Sequence, residues 1–265
     1  MSSTVVEGIG IHSGERCRVE LHRSEGPLRF RQGRHEVVAD ATAVAGTARC
    51  TVLGADGVRV AMVEHLLATL RVAGFWHGVL VAVEGSELPI LDGSAGPWRE
   101  AVAALGPPPP APGPWRPNGP VRFRHGASRL LLEPGPEHLQ ASIDFDHPAI
   151  GRQRWAGGPA CYDGLLDART FATAAEVWAL QAAGGLRGAA QGRGIVFDDD
   201  GPSTPLRWPD EPVRHKALDA LGDLTLLGRP LAGSLSIERG SHAAHVAFML
   251  QLRIHTPCSQ VEPPA

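Results

Sequence analysis

Val213-Arg214-His215-Lys216-Ala217-Leu218-Asp219-Ala220-Leu221-Gly222-Asp223 is the stretch around which the chain organises itself. Written as a helix of about 3.6 residues per turn, it stacks His215, Asp219 and Asp223 on one face at steps of four. Leu218, Leu221 and Leu224 line another face, so the helix can dock on a core while its polar stripe points into a cleft. An imidazole and a carboxylate one turn apart form a two-point metal grip; in solvent the same pair would merely support the helix. Lys216 is the only lysine of the chain, all other members of the 25 Lys and Arg residues being arginines. A compact ammonium beside a candidate ligand suits an oxyanion or a phosphate without arginine's planar fork.

Composition bounds the reading. With 265 residues, and roughly 150 residues to a domain, the chain can bury two cores. A hydrophobic content of 43% and a charged content of 20% are those of a soluble globular protein. The net charge of −3 excludes a general attraction to nucleic acid polymer or anionic membrane, so any phosphate contact must be local. Cys17, Cys50, Cys161 and Cys258 form no Cys-x-x-Cys, which argues against a zinc ribbon or a dense disulfide framework and for reduced thiols. Met1–Glu7 lacks a basic region followed by an apolar run, and nowhere do about 18 apolar residues occur together. The expectation is a cytoplasmic monomer without a membrane span.

Along the chain, Gly8-Ile9-Gly10-Ile11-His12-Ser13-Gly14 is a glycine-punctuated loop without dinucleotide or Walker spacing, leading into an alternating strand through Cys17, Val19 and Leu21. His12 could hydrogen-bond a ligand there or be a plain turn histidine. More short strands are expected through 27–60, where Thr47-Ala48-Arg49-Cys50-Thr51 carries no chemical signal and Cys50 reads as buried packing. Val63–Ala73 reads as a helix stopped by Gly74, with Glu64 and His65 at its start. Consecutive helical residues point about 100° apart, so one can bind a metal while its neighbour reaches the attacking water. A strand follows at Gly78–Glu84 and a helix near Pro97–Leu105. Gly106–Pro114, dominated by proline, cannot be helix or strand interior and is the expected domain boundary. Beyond it, strands are expected around Val121–Phe123, Leu130–Leu132, Leu139–Phe145, Gly194–Phe197 and Gly233–Ile237, with helices at about Ala174–Ala183 and from Gly240 to Leu252.

His65, His215 and Asp219 suffice for a catalytic zinc, which takes three protein ligands and keeps one position open; the same set matches non-haem iron oxygenases. Glu64 discriminates, because a carboxylate beside a ligand is a general base for hydrolysis and has no evident task in oxygen chemistry. Amide hydrolysis also needs an oxyanion stabiliser, for which Lys216 or Thr170 can serve. It needs an acid for the departing amine too, which His242 can be if Asp223 holds it protonated.

Met62-Val63-Glu64-His65-Leu66, Leu88–Ala95, Ile143-Asp144-Phe145-Asp146-His147-Pro148, Ala168-Arg169-Thr170-Phe171 and Val213–Asp223 resemble, in order and spacing, the UDP-3-O-acyl-N-acetylglucosamine deacetylases of lipid A biosynthesis. Gly8–Gly14 is similar to that family's N-terminal motif. The resemblance implies an α+β fold of two similar α/β-sandwich domains, each a mainly antiparallel sheet with a helix pair, the helices packed between the two sheets. The first domain would span 1–105, a Pro-rich linker 106–120 and the second domain 121–265. The insert around 172–196 would form a hydrophobic passage for the 3-O-acyl chain. It further implies Zn2+ on His65, His215 and Asp219, Glu64 as base and His242 paired with Asp223 as acid. Thr170 would polarise the carbonyl, Lys216 would touch the UDP-linked acylated amino sugar, and His12 and Phe171 would shape the substrate cleft. The chain departs from the family in reading Gly240-Ser241-His242 for Ser-Gly-His, Arg239 for a lysine, Ala172 for glycine, and Arg187–Gly194 for a Gly-Gly-Ser motif. Rival expectations are a deacetylase of a different N-acyl amino sugar and a non-catalytic, metal-containing nucleotide-sugar binder.

Overall fold

Cys17, Val19 and Leu21 are all buried on one side of a long strand, the period of two that a half-covered sheet requires. The computed structural model in which they lie describes residues 4–55, 57–190 and 192–254, so Cys258 is outside the described residues. The first half contains strands β1 (Thr4–Ile9), β2 (Arg16–Pro27), β3 (Arg29–Gln32) and β4 (His35–Val38), then a small three-stranded sheet of β5 (Val44–Gly46), β6 (Val52–Ala55) and β7 (Val58–Val60). Helix α1 (Glu64–Val72), strand β8 (His77–Glu84) and helix α2 (Trp98–Ala103) complete it. β8 enters last and takes the centre of the sheet β1-β2-β8-β3-β4, antiparallel to β2 and parallel to β3. Its near-continuous apolar run, Val79 to Val83, suits that central place.

The second half repeats the plan. Strands β9 (Val121–His125), β10 (Ser128–Glu133), β11 (His138–Asp144) and β12 (Arg152–Gly157) are followed by an insert of β13 (Phe171–Thr173), helix α3 (Ala174–Ala182), β14 (Ile195–Asp198) and β15 (Gly201–Pro202). Helix α4 (Glu211–Leu224), strand β16 (Ser234–Glu238) and helix α5 (His242–Ile254) close the chain. The sheet order is β9-β10-β16-β11-β12, with β16 antiparallel to β10 and parallel to β11. Strand for strand, this is the order of the first sheet. The result is a mixed α+β molecule with antiparallel-rich sheets and few helices, compatible with an α/β sandwich. Strand β12 is not among the sequence expectations: Arg152-Gln153-Arg154-Trp155 holds one large apolar residue, enough for an edge strand but too few to reveal a period.

The two central helices are buried nearly all round. Every residue of α1 from Glu64 to Arg71 is buried, and in α4 only Arg214 and Lys216 are half-exposed. Helices of that kind belong between layers rather than on a surface. α1 and α4 pack on one another, and they approach closely at Gly222, where a Cβ would stand 2.1 Å from the Glu64 carbonyl oxygen. The proline-rich 106–114 forms neither helix nor strand. It does not run free: Pro108 and Pro109 pack beside Gly74 and Gly78, and the Pro110 carbonyl meets His77 Nε2 at 3.0 Å. Among the described residues no helix is long and apolar enough to cross a membrane.

Candidate active site

The α1–α4 crossing brings His65 from one helix against His215 and Asp219, one turn apart on the other; all three are buried. One ligand atom from each lies within 4.8 Å of the others. His215 Nε2 is 3.3 Å and His65 Nε2 3.9 Å from Asp219 Oδ1, and the two imidazoles meet edge-on with centroids 5.1 Å apart. Ligands at about 2.0–2.2 Å from a tetrahedral ion are roughly 3.3–3.6 Å from each other, so this trio needs only slight closure to hold one. His215 Nδ1 donates to the Ala168 carbonyl at 3.0 Å, which turns Nε2 toward the trio's centre. Burial, reinforced by His215, pushes the His65 pKa down to about 3, and burial lowers His215 as well. Neutral imidazoles are the form that binds metal. Burial works against the Asp219 charge, yet His215 and Lys216 hold its carboxyl well below the usual range. Lys216 Nζ donates to Asp219 Oδ2 at 2.7 Å.

Glu64, the first residue of α1, is 1% exposed, and its Oε2 accepts the Thr51 backbone N–H at 3.0 Å. Burial pushes its carboxyl up to about 8 against the pull of His242. Across from it, His242 Nε2 stands 4.0 Å from Glu64 Oε1. Burial disfavours a charge on His242, but the Asp223 carboxylate, with Oδ2 2.8 Å from His242 Nδ1, raises that imidazole to about 10. A carboxyl and a protonated imidazole therefore face each other beside the trio.

One cavity is lined by His12, Glu64, His65, Thr170, Phe171, His215, Lys216, Asp219 and His242; Asp223 sits behind His242 and does not line it. The same cavity has an apolar wall that includes Val177 and Leu180 of α3 together with Leu186, Ala189 and Ala190. Thr170 is strapped in place, its N–H donating to the Gly93 carbonyl at 2.7 Å and its carbonyl accepting from Ile195 at 2.8 Å. The preceding Arg169 makes a buried fork onto Glu211 at the start of α4, with Nε to Oε1 at 2.9 Å and Nη2 to Oε2 at 3.1 Å. The Phe171 ring lies 6.5 Å from that of His215, and Lys216 Nζ lies 5.6 Å from the Phe171 centroid. His12 is held through its backbone: Glu87, buried, accepts the N–H groups of His12 at 3.1 Å and Ser13 at 2.9 Å. Among the described non-glycine residues at positive φ are Arg49, Met62, Leu186 and Arg239, and these four line the cavity. Strained backbone gathers where a structure is shaped for function.

Several residues of this arrangement escape the sequence. Thr51 and Glu87 act across long separations with no local pattern. His245 carries a signal that could have been used, since it lies three positions after His242 on one helix. Its Nδ1 donates to Asp223 Oδ2 at 2.8 Å. It also explains the order Gly240-Ser241. A Cβ at position 240 would stand 2.8 Å from His245 Nε2 and 2.7 Å from Ile237 Cγ2, whereas Ser241 Oγ accepts the Ala244 N–H at 3.3 Å and caps α5.

Comparison with known proteins bears on this geometry. The family model described as LpxC, UDP-3-O-acyl N-acetylglycosamine deacetylase, matches residues 1–253. A UDP-3-O-acyl-N-acetylglucosamine deacetylase of Thermosynechococcus vestitus is 38% identical over 252 residues, covering 90% of this chain and 87% of the relative. The protein of that name from Thermodesulfovibrio yellowstonii is 32% identical over 271 residues, covering 98% and 92%. The one from Nitratidesulfovibrio vulgaris is 35% identical over 263 residues, covering 94% and 85%.

Proposed function

The chain belongs to the UDP-3-O-acyl-N-acetylglucosamine deacetylase family, and on that premise we propose that His65, His215 and Asp219 hold zinc while Glu64 and His242 carry the proton transfers. Family membership makes it a hydrolase that removes the acetyl group of a UDP-linked 3-O-acylated N-acetylglucosamine in lipid A biosynthesis. The observation that carries the residue assignments is the meeting of Glu64 Oε1 and His242 Nε2 at 4.0 Å beside the buried trio.

When bound, zinc supplies Lewis acidity toward the attacking water and the acetyl carbonyl. Glu64, in its carboxylate form, removes a proton from that water as its oxygen attacks the carbonyl carbon. The Thr170 hydroxyl and the Lys216 ammonium meet the charge that develops on the carbonyl oxygen. His242, kept protonated by Asp223, gives its Nε2 proton to the nitrogen as the C–N bond breaks, so acetate and a free amine leave. His12 and Phe171 flank the sugar, and the apolar wall from α3 to Val196 takes the 3-O-acyl chain. In the same reading the two sheets with their helices are two domains joined through 106–120, and the enzyme works in the cytoplasm as a monomer.

The test is acetate release from UDP-3-O-acyl-N-acetylglucosamine by purified protein, with and without chelator. Glu64→Ala should lower kcat by roughly a hundredfold or more with KM near the parent value, as expected for loss of a general base. Turnover confined to another N-acyl amino sugar would replace the substrate, and binding without turnover would leave only a nucleotide-sugar binder.

A further inference from the structure

Thr51 is 0% exposed, stands immediately before β6, and touches both sides of the proton-transfer pair. Its backbone N–H donates to Glu64 Oε2 at 3.0 Å, and its hydroxyl donates to Asp223 Oδ1 at 2.5 Å. The hydroxyl also lies 3.3 Å from His242 Nδ1, but that nitrogen gives its own proton to Asp223 Oδ2 at 2.8 Å, so the single hydroxyl proton goes to Oδ1. Each carboxylate thus has one oxygen occupied by Thr51 and its other oxygen turned toward His242. Glu64 is left with Oε1 facing His242 Nε2, and Asp223 with Oδ2 on His242 Nδ1.

We propose that Thr51 is a positioning residue for the deacetylation, a clamp whose N–H and O–H set the base and the acid's carboxylate at one separation. The proposal rests on the roles assigned above to Glu64 and His242. A hydroxyl bonded to a buried carboxylate is worth more than a neutral hydrogen bond, and replacing it by a methyl leaves Oδ1 without that donor. Asp223 can then rotate about its side-chain bond, carrying His242 off the leaving nitrogen. Substrate affinity, set by the cavity walls and His12, should be untouched.

The experiment compares Thr51→Val, which keeps shape and loses the hydroxyl, with Thr51→Ser, which keeps the hydroxyl. Zinc content and unfolding midpoint are followed alongside, and Thr51→Ala replaces the valine variant if that one does not fold. For Thr51→Val, kcat should fall roughly ten- to a hundredfold with KM within about twofold; Thr51→Ser should stay within about threefold of the parent. In an Asp223→Asn background the valine substitution should cost less than about threefold, because its charged acceptor is gone. The proposal is overturned if Thr51→Val retains kcat while Glu64→Ala and His242→Ala are inactive, if serine is as poor as valine, or if the penalty persists undiminished beside Asp223→Asn. Active Glu64→Ala or His242→Ala would instead remove the assignments beneath it.

Discussion

Asp223 accepts from His242 Nδ1, His245 Nδ1 and the Thr51 hydroxyl at once; burial works against its charge, but the His242 cation and the hydrogen bonds from His242 and His245 hold the carboxyl well below the usual range. The ionised carboxylate in turn holds His242 up near 10. Its removal should reverse the sign of the shift, because burial then acts on the imidazole without its counter-charge. Asp223→Asn is therefore expected to move the alkaline limb of the kcat/KM profile toward lower pH, with the loss of rate growing as pH rises; an unmoved limb would separate that limb from His242. At this scale the sequence is legible where residues are neighbours or one helical turn apart. Glu64-His65 and His215-x-x-x-Asp219 announce themselves in that way. Thr51 and Asp223 are 172 positions apart, and a threonine before an apolar run looks like any other.

Between elements, the decisive contact is the crossing of α1 and α4. A glycine inside a helix costs about 1 kcal/mol relative to alanine, so Gly222 needs a compensating reason. The reason is that the Glu64 carbonyl fills the place of its side chain. Gly222→Ala should push the two helices apart, destabilising the protein by about 1–3 kcal/mol and lowering kcat as Glu64 and His65 leave Asp219 and His242. Urea unfolding and acetate release measure the two effects, and preserved activity in a destabilised variant would show that the crossing serves packing alone. The helices themselves are open to pattern reading: α1 and α4 repeat apolar residues at the helical period, and α1 ends just before Gly74, the boundary residue the pattern offers. β12 was hidden because an edge strand with a single buried aromatic has too little hydrophobic alternation to read.

Across the whole molecule, the strand order of one half recurs in the other, a duplication invisible in the residues because a sheet plan constrains only which positions are apolar. The proposed metal trio draws His65 from the first half and His215 and Asp219 from the second, so an ion held there should act as a stay between halves as well as a reagent. Removing zinc with a chelator is expected to abolish acetate release and to lower the unfolding midpoint by about 10 °C, from roughly 4 kcal/mol of linkage at saturating metal. An unchanged midpoint would confine the ion to chemistry. The molecule's charge inventory has a further practical outcome. Lys216 is the only lysine in the chain, and its ammonium lines the cavity with the side chain 28% exposed. Chain terminus aside, reductive methylation with carbon-13 formaldehyde would install one isotopic beacon, on the amine beside Asp219. A single NMR resonance would then report what enters the cleft, without assignment of the spectrum.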